Sequence, residues 1–172
     1  MERSSFADFS CSISRTLEVV GEWWTLLILR DLFLGFERFD EIQRNLGLAS
    51  NVLTARLKRL LEQGIVERHT DLQDKRVWRY TLTEQGRDLY PVLLALTAWG
   101  DKWRAPGGLK PLHIRHASCQ HVSNAVPHCA ICGEKMRLDN ISFEAGPGGR
   151  EAPGTALIGQ VLRQHKPGKP EK

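Results

Sequence analysis

Residues 39–82 constrain this chain more than any other part of it. Phe39, Ile42 and Leu46 recur at three- and four-residue steps and stop at Gly47, and Leu53, Leu57 and Leu60 repeat the pattern before Gly64. At 3.6 residues per turn these positions share one face. A glycine readily takes the left-handed backbone that ends a helix, so both runs read as short amphipathic helices. Leu48 and Ala49 make the turn between them, and Ser50 is the expected N-cap of the second helix, its hydroxyl accepting a free first-turn amide. After Gly64 the period changes to two. Residues 65–70 and 77–82 read as strands, with Trp78, Tyr80 and Leu82 on one face, joined by the polar tip DLQDKR. Two helices, a tight turn and a hairpin in this order make a winged helix-turn-helix, a mainly α fold with a small β-hairpin.

The flanks extend this unit. Ile13, Leu17, Val20, Trp24, Leu27 and Ile28 predict one long helix over residues 13–34, closed by Gly35. Thr83 offers a cap for a last long helix whose stripe is Leu89, Leu93, Leu96 and Trp103, with Pro91 expected to kink it. At APGGLKP the composition shifts. The expected organisation is an N-terminal arm (1–10), the winged-helix domain (11–104), a linker (105–112), a Cys- and His-containing, zinc-ribbon-like segment (113–145) and a largely disordered tail (146–172). Within that tail residues 156–162 form a weak apolar patch. The longest apolar run, WWTLLIL, is far short of the about 20 residues that cross a bilayer. MERSSFADFS lacks the apolar stretch of a secretion signal, so no membrane and a cytoplasmic location are expected, with thiols reduced unless they bind metal or sense oxidant.

Charge suggests what the fold meets. Net charge is +4, and residues 42–61 contain no acid but do contain Arg44, Arg56, Lys58 and Arg59. With Leu53, Leu57 and Leu60 inward, Asn51, Ala55, Lys58, Arg59 and Glu62 project outward from the helix at 50–63. Ala55 is small enough to let that helix sit deep in a major groove about 12 Å wide. Asn51 and Thr54, with Ser50 near the same end, are placed for base edges. Lys58 and Arg59 are placed for phosphates or guanine, and Arg56 on the flank for either. The hairpin tip, residues 71–77, adds Lys75 and Arg76, two cations suited to a minor groove, with Asp74 orienting Arg76 through a carboxylate–guanidinium pair. A basic helix face and a charged turn are also what ordinary solvated surface looks like. Their succession in one unit favours double-stranded DNA.

The quoted residues resemble a known family, the HxlR-type regulators, relatives of the MarR-type winged-helix repressors. The resemblance rests on Cys11, on VVGEWWTLLILRDLFLGFERFDEIQRNL, on LASNVLTARLKRLLEQGIVER and on YTLTEQGRDLYPVLLALTAWG. It implies a bacterial transcription regulator, a repressor by kinship, that binds near-palindromic operators as a homodimer through its first and last long helices. The signal would be a small molecule or an oxidant. It also implies that Cys11 can serve as an oxidant sensor, forming a disulfide across the dimer. Glu22 and the proline-free tip Asp74-Lys75-Arg76 depart from the family pattern.

His116-x2-Cys119-x9-Cys129-x2-Cys132 pairs ligands at short spacing around a loop, and three thiolates with one imidazole would close a tetrahedral site for one structural zinc ion. His113, His121 and His128 are rival ligands, and a reduced, metal-free segment is the plain alternative. Two other classes of function rest on the same cysteines: a thiol–disulfide oxidoreductase, which lacks its usual βαβ core here, and a zinc-ribbon adaptor for protein partners. No phosphate-binding glycine loop and no carboxylate pair or Ser/His/Asp set points to an enzyme.

Overall fold

The computed structural model describes residues 5–6, 8–144 and 146–164. The chain forms two units, residues 23–135 in one and the segments on either side of them in the other.

The larger unit begins with helix α2 (Trp23–Phe33), preceded in the other unit by α1 (Ser12–Val20). The single helix expected over 13–34 is therefore two. The apolar pattern continues across the junction, but the Gly21 amide donates to the Leu17 carbonyl at 2.8 Å, and a Cβ at Gly21 would lie 2.4 Å from that oxygen. The backbone closes α1 there, and a new helix starts at Trp23. Helix α3 (Phe39–Leu46) follows, and Gly47 ends it in the left-handed conformation (φ 64°). Helix α4 (Ser50–Glu62) starts at its expected cap, so the N-cap falls one residue earlier than the sequence suggests. Ala49 is the N-cap, and Ser50 lies inside the first turn with its hydroxyl accepting from Gln43 Nε2 at 2.7 Å. Gln43 also donates to the Leu48 carbonyl at 3.2 Å, so one side chain fastens the whole turn.

Strands β1 (Val66–Thr70) and β2 (Trp78–Leu82) pair antiparallel, Val66 opposite Leu82 and Thr70 opposite Trp78. The Tyr80 amide donates to the Glu37 carbonyl at 2.8 Å, which ties the hairpin to the segment entering α3. Tyr80 and Leu82 are buried as the alternation predicts, whereas Trp78 is 43% exposed and carries the Arg68 guanidinium 4.5 Å above its ring. Thr83 caps only a short helix, α5 (Glu84–Arg87), by accepting the Gly86 amide at 3.1 Å. Helix α6 (Tyr90–Trp103) is a separate element with Pro91 in its first turn, so proline starts this helix rather than kinking a longer one; in the first turn its missing N–H leaves nothing unsatisfied. The core joins Ile28, Leu29 and Leu32 of α2, Ile42 of α3, Leu53, Leu57 and Leu60 of α4, and Ile65, Val66, Tyr80 and Leu82 around the hairpin. Asp31 is fully buried among them. Its carboxylate accepts from Arg30 on one oxygen and from Asn45 Nδ2 at 2.7 Å on the other, bracing α2 against α3.

In the smaller unit the Phe6 amide donates to Glu18 of α1 at 2.8 Å, and Phe6 packs edge-on against Phe9. Phe9 lies so close to Gly154 that a Cβ there would sit 2.2 Å from the ring. The segment expected to be largely disordered thus holds a turn around the buried Thr155 and a helix, α7 (Ile158–Gln164), at the apolar patch; residues 165–172 lie outside the described residues.

Candidate nucleic-acid interface

Helix α4 is oriented by what it buries. Leu53, Leu57 and Leu60 are at most 1% exposed, which turns Ser50, Asn51, Thr54, Ala55 and Lys58 to solvent along the opposite side. Arg56 and Arg59 are half-buried on the flanks with their Nε atoms enclosed, so their guanidinium groups leave the helix from fixed roots rather than as free arms. Lys58 makes a loose pair with Glu62, 3.8 Å apart and one turn on. Arg44 is exposed on α3, whose last turn precedes the fastened bend. A helix whose solvent side carries Asn, Thr, Ala and cations, and no acid before Glu62, can enter a groove lined with phosphates.

The hairpin tip is built around Asp71. Its carboxylate accepts the amides of Gln73 (2.7 Å) and Asp74 (3.1 Å) and the Nε–H of Arg79, which in turn reaches Glu37 at 3.1 Å. These donors, the Gln73 amide first, hold the Asp71 carboxyl down at about 2. No spacing rule identifies this network, because Glu37 precedes α3, Asp71 follows β1 and Arg79 lies within β2. Its consequence is a rigid tip: Asp74 grips Arg76 through two bonds of 3.0 Å, as expected, while Arg76 and Lys75 remain exposed.

Cys11 stands at the N-cap of α1, half-buried, and the backbone amides of Ser14 and Ile13 together with the Ser14 hydroxyl and Arg15 lower its thiol below the ordinary cysteine range. In the Cys/His segment the structure brings the expected ligands together in pairs. His116 Nδ1 lies 3.3 Å from Cys119 Sγ. Cys129 receives the amides of Cys132 and Ile131 and the Cys132 thiol, which lower its own thiol likewise. The two pairs do not converge on one point: among the described residues no three His, Cys, Asp or Glu side chains gather as a metal-holding group. A cleft of about 400 Å³ separates the first pair from α6, with Tyr90 and Leu94 on one wall and Ile114, His116 and Cys119 on the other. No helix among the described residues is long and apolar enough to cross a membrane.

Comparison with known proteins agrees with this architecture. An uncharacterized HTH-type transcriptional regulator of Mycobacterium tuberculosis is 40% identical over 137 residues, covering 80% of this chain and 87% of the relative. A regulator described in the same words from Bacillus subtilis, YdeP, is 33% identical over 95 residues, 55% of this chain and 74% of its own. Among solved structures, the transcription-factor candidate PA1607 superposes with a TM-score of 0.74 at 30% identity, covering 83% of this chain and all of the other. The redox regulator HypR in its reduced form gives 0.51 at 33% identity, over 55% of this chain and 94% of that one. The HxlR-like helix-turn-helix family matches residues 19–107, and the chain belongs to that family.

Proposed function

We propose that this protein is a sequence-specific DNA-binding transcription regulator that represses near-palindromic operators as a homodimer, with α4 in the major groove and residues 71–77 in the minor groove. One observation carries the reading: the solvent side of α4 is free of acid from Ser50 to Leu61, has the small Ala55 between Asn51 and Lys58, and belongs to the same unit as a braced, cation-bearing hairpin tip. The relatives compared above are described as HTH-type transcriptional regulators, which agrees with this use of the fold. Pairing is supported by α6, where no residue is buried although Val92, Leu96, Trp99 and Trp103 are each at least 41% exposed. Apolar surface on that scale is what a second copy would cover. The test is selection of bound sequences from random duplex, together with the mass of the protein in solution. Enrichment of an inverted repeat with half-sites about one helical turn, 34–36 Å, apart supports the reading. A monomer that selects no sequence defeats it.

A second component of the reading is the signal. Cys11 has an activated thiol at a helix start, and HypR, which superposes on this chain, is named a redox regulator. Oxidant-dependent release of operator DNA that disappears in Cys11→Ser would support Cys11 as the sensor; release that persists in the variant would exclude it.

A further inference from the structure

The Cys/His segment contains the same backbone turn twice. In the first copy the His116 amide donates to the His121 carbonyl at 3.0 Å and the Gln120 amide returns to the His116 carbonyl at 2.8 Å. In the second, the Cys129 amide donates to Glu134 at 2.8 Å and the Gly133 amide returns to Cys129 at 2.9 Å. One residue outside each pair a bridge closes the turn, Arg115 with Val122 and His128 with Lys135. The fifth residue of each turn is left-handed, Gln120 at φ 58° and Gly133 at φ 73°. Gln120 is the one non-glycine with positive φ among the described residues, so the first turn keeps this shape against a side chain that disfavours it. In both turns the first and fourth positions carry side chains of the kind that ligate metals: His116 and Cys119, then Cys129 and Cys132.

A repeated turn that presents two ligands at the same two positions is a device for gripping an ion from both sides. We propose that the two turns are the halves of one tetrahedral zinc site, with His116, Cys119, Cys129 and Cys132 as its ligands. Three thiolates and one imidazole suit zinc in a closed structural site. The Ile131 and Cys132 amides directed at the Cys129 sulfur are the hydrogen bonds a metal-bound thiolate uses. An independent observation points the same way. From residue 113 to 136 no side chain is buried, and only Ile114, Ala125 and Cys129 are even partly so, which leaves this length of ordered backbone without an apolar core. An ion supplies the cross-link that a core would otherwise provide. The halves stand apart as described, and the residues joining them, 120–128, are exposed except for Ala125, so they can close without unpacking anything buried.

The test uses the full chain, expressed with zinc supplied and purified without chelator. The expected content is one zinc per chain. Cobalt exchanged into the wild-type protein should show tetrahedral d–d bands and a sulfur-to-cobalt charge-transfer band. Replacing His116 by Ala, or Cys119 or Cys132 by Ser, should weaken the metal at least about tenfold, the loss that even outer-shell partners bring. His116→Cys should retain the ion, as should His121→Ala and His128→Ala. Because the cobalt spectrum of the wild type needs no variant, a misfolded substitution does not decide the matter. Absence of zinc from chains with intact thiols, half an ion per chain, or loss of metal in His121→Ala with retention in His116→Ala would each overturn the assignment. None of these readouts depends on DNA binding.

Discussion

Lys58→Ala puts the proposed interface to its most quantitative test. Lys58 and Glu62 are 3.8 Å apart and 75% and 57% exposed. They stand in the less favourable order along the helix, lysine first, so their pairing contributes no more than about 0.3–0.5 kcal/mol. The lysine can therefore be surrendered to a phosphate at little cost, and its loss leaves the core leucines of α4 untouched. A homodimer loses two cations. At a slope of about −0.9 per phosphate neutralised, the plot of log affinity against log salt should flatten by about 1.8. Between about 50 and 200 mM salt, a fourfold change, the gap between wild type and variant should close by about 12-fold. Fluorescence anisotropy on one operator duplex at four salt concentrations measures this directly. Glu62→Gln should shift affinity the other way, by removing a negative charge from the same edge. A slope that does not change in Lys58→Ala would mean that α4 does not face the backbone of DNA, and a change near 0.9 would mean that one copy binds, not two.

Three further outcomes probe the scaffold. Leu57→Ala, at a position 1% exposed beneath the solvent side of α4, should lower unfolding stability by about 2–5 kcal/mol in urea titration, with any weakening of DNA binding a consequence of unfolding rather than of lost contacts. Gly86→Ala would place a Cβ 2.2 Å from the Ile65 carbonyl, so the junction of hairpin and α5 must shift, and a loss of about 1–3 kcal/mol should appear in the same titration. Asp71 has a native pKa of about 2, below its unfolded value of about 3.9, so it stabilises the tip above about pH 4 and that stability is lost as pH falls toward 2. Trp78 fluorescence followed through this window should report the loss, and Asp71→Asn should flatten the profile.

The helix-turn-helix and hairpin were legible because each carries its own periodic signal: the leucines of α4 keep a 3.6-residue period, and Tyr80 with Leu82 keeps a period of two. What periodicity could not show was where a continuous pattern breaks. The apolar positions run through Gly21 and past Pro91 without interruption, yet Gly21 closes α1 on the Leu17 carbonyl and Pro91 opens α6, because backbone sterics act below the level of face patterning. The cap was misplaced for a related reason. Ser50 has the right chemistry for an N-cap, but Gln43, seven residues earlier, claims its hydroxyl. Of the residues proposed to face DNA, Arg44, Ser50, Asn51, Thr54, Ala55, Lys58, Lys75 and Arg76 are exposed, as helical and turn geometry predict. Arg56 lies half-buried on the flank as expected, whereas Arg59, expected to project outward, is half-buried with its Nε enclosed.

The distribution of acids explains why the basic face can be both exposed and stable. Asp31, Glu37, Asp71 and Asp74 each receive an arginine from within the same unit: Arg30 for Asp31, Arg79 for both Glu37 and Asp71, Arg76 for Asp74. The first three of these acids brace elements, α2 with α3 and the hairpin with the segment before α3. Structural pairing thus takes up negative charge where it fixes geometry and leaves residues 42–61 free of any acid that would repel a phosphate. Moving one acid should expose this division. Asp71→Asn keeps the two amide bonds at the tip but releases half of Arg79's pairing, so affinity for DNA of any sequence should rise while the hairpin loses rigidity. If the carboxylate at 71 served the fold without bearing on the field at the tip, affinity would stay constant and only stability would fall.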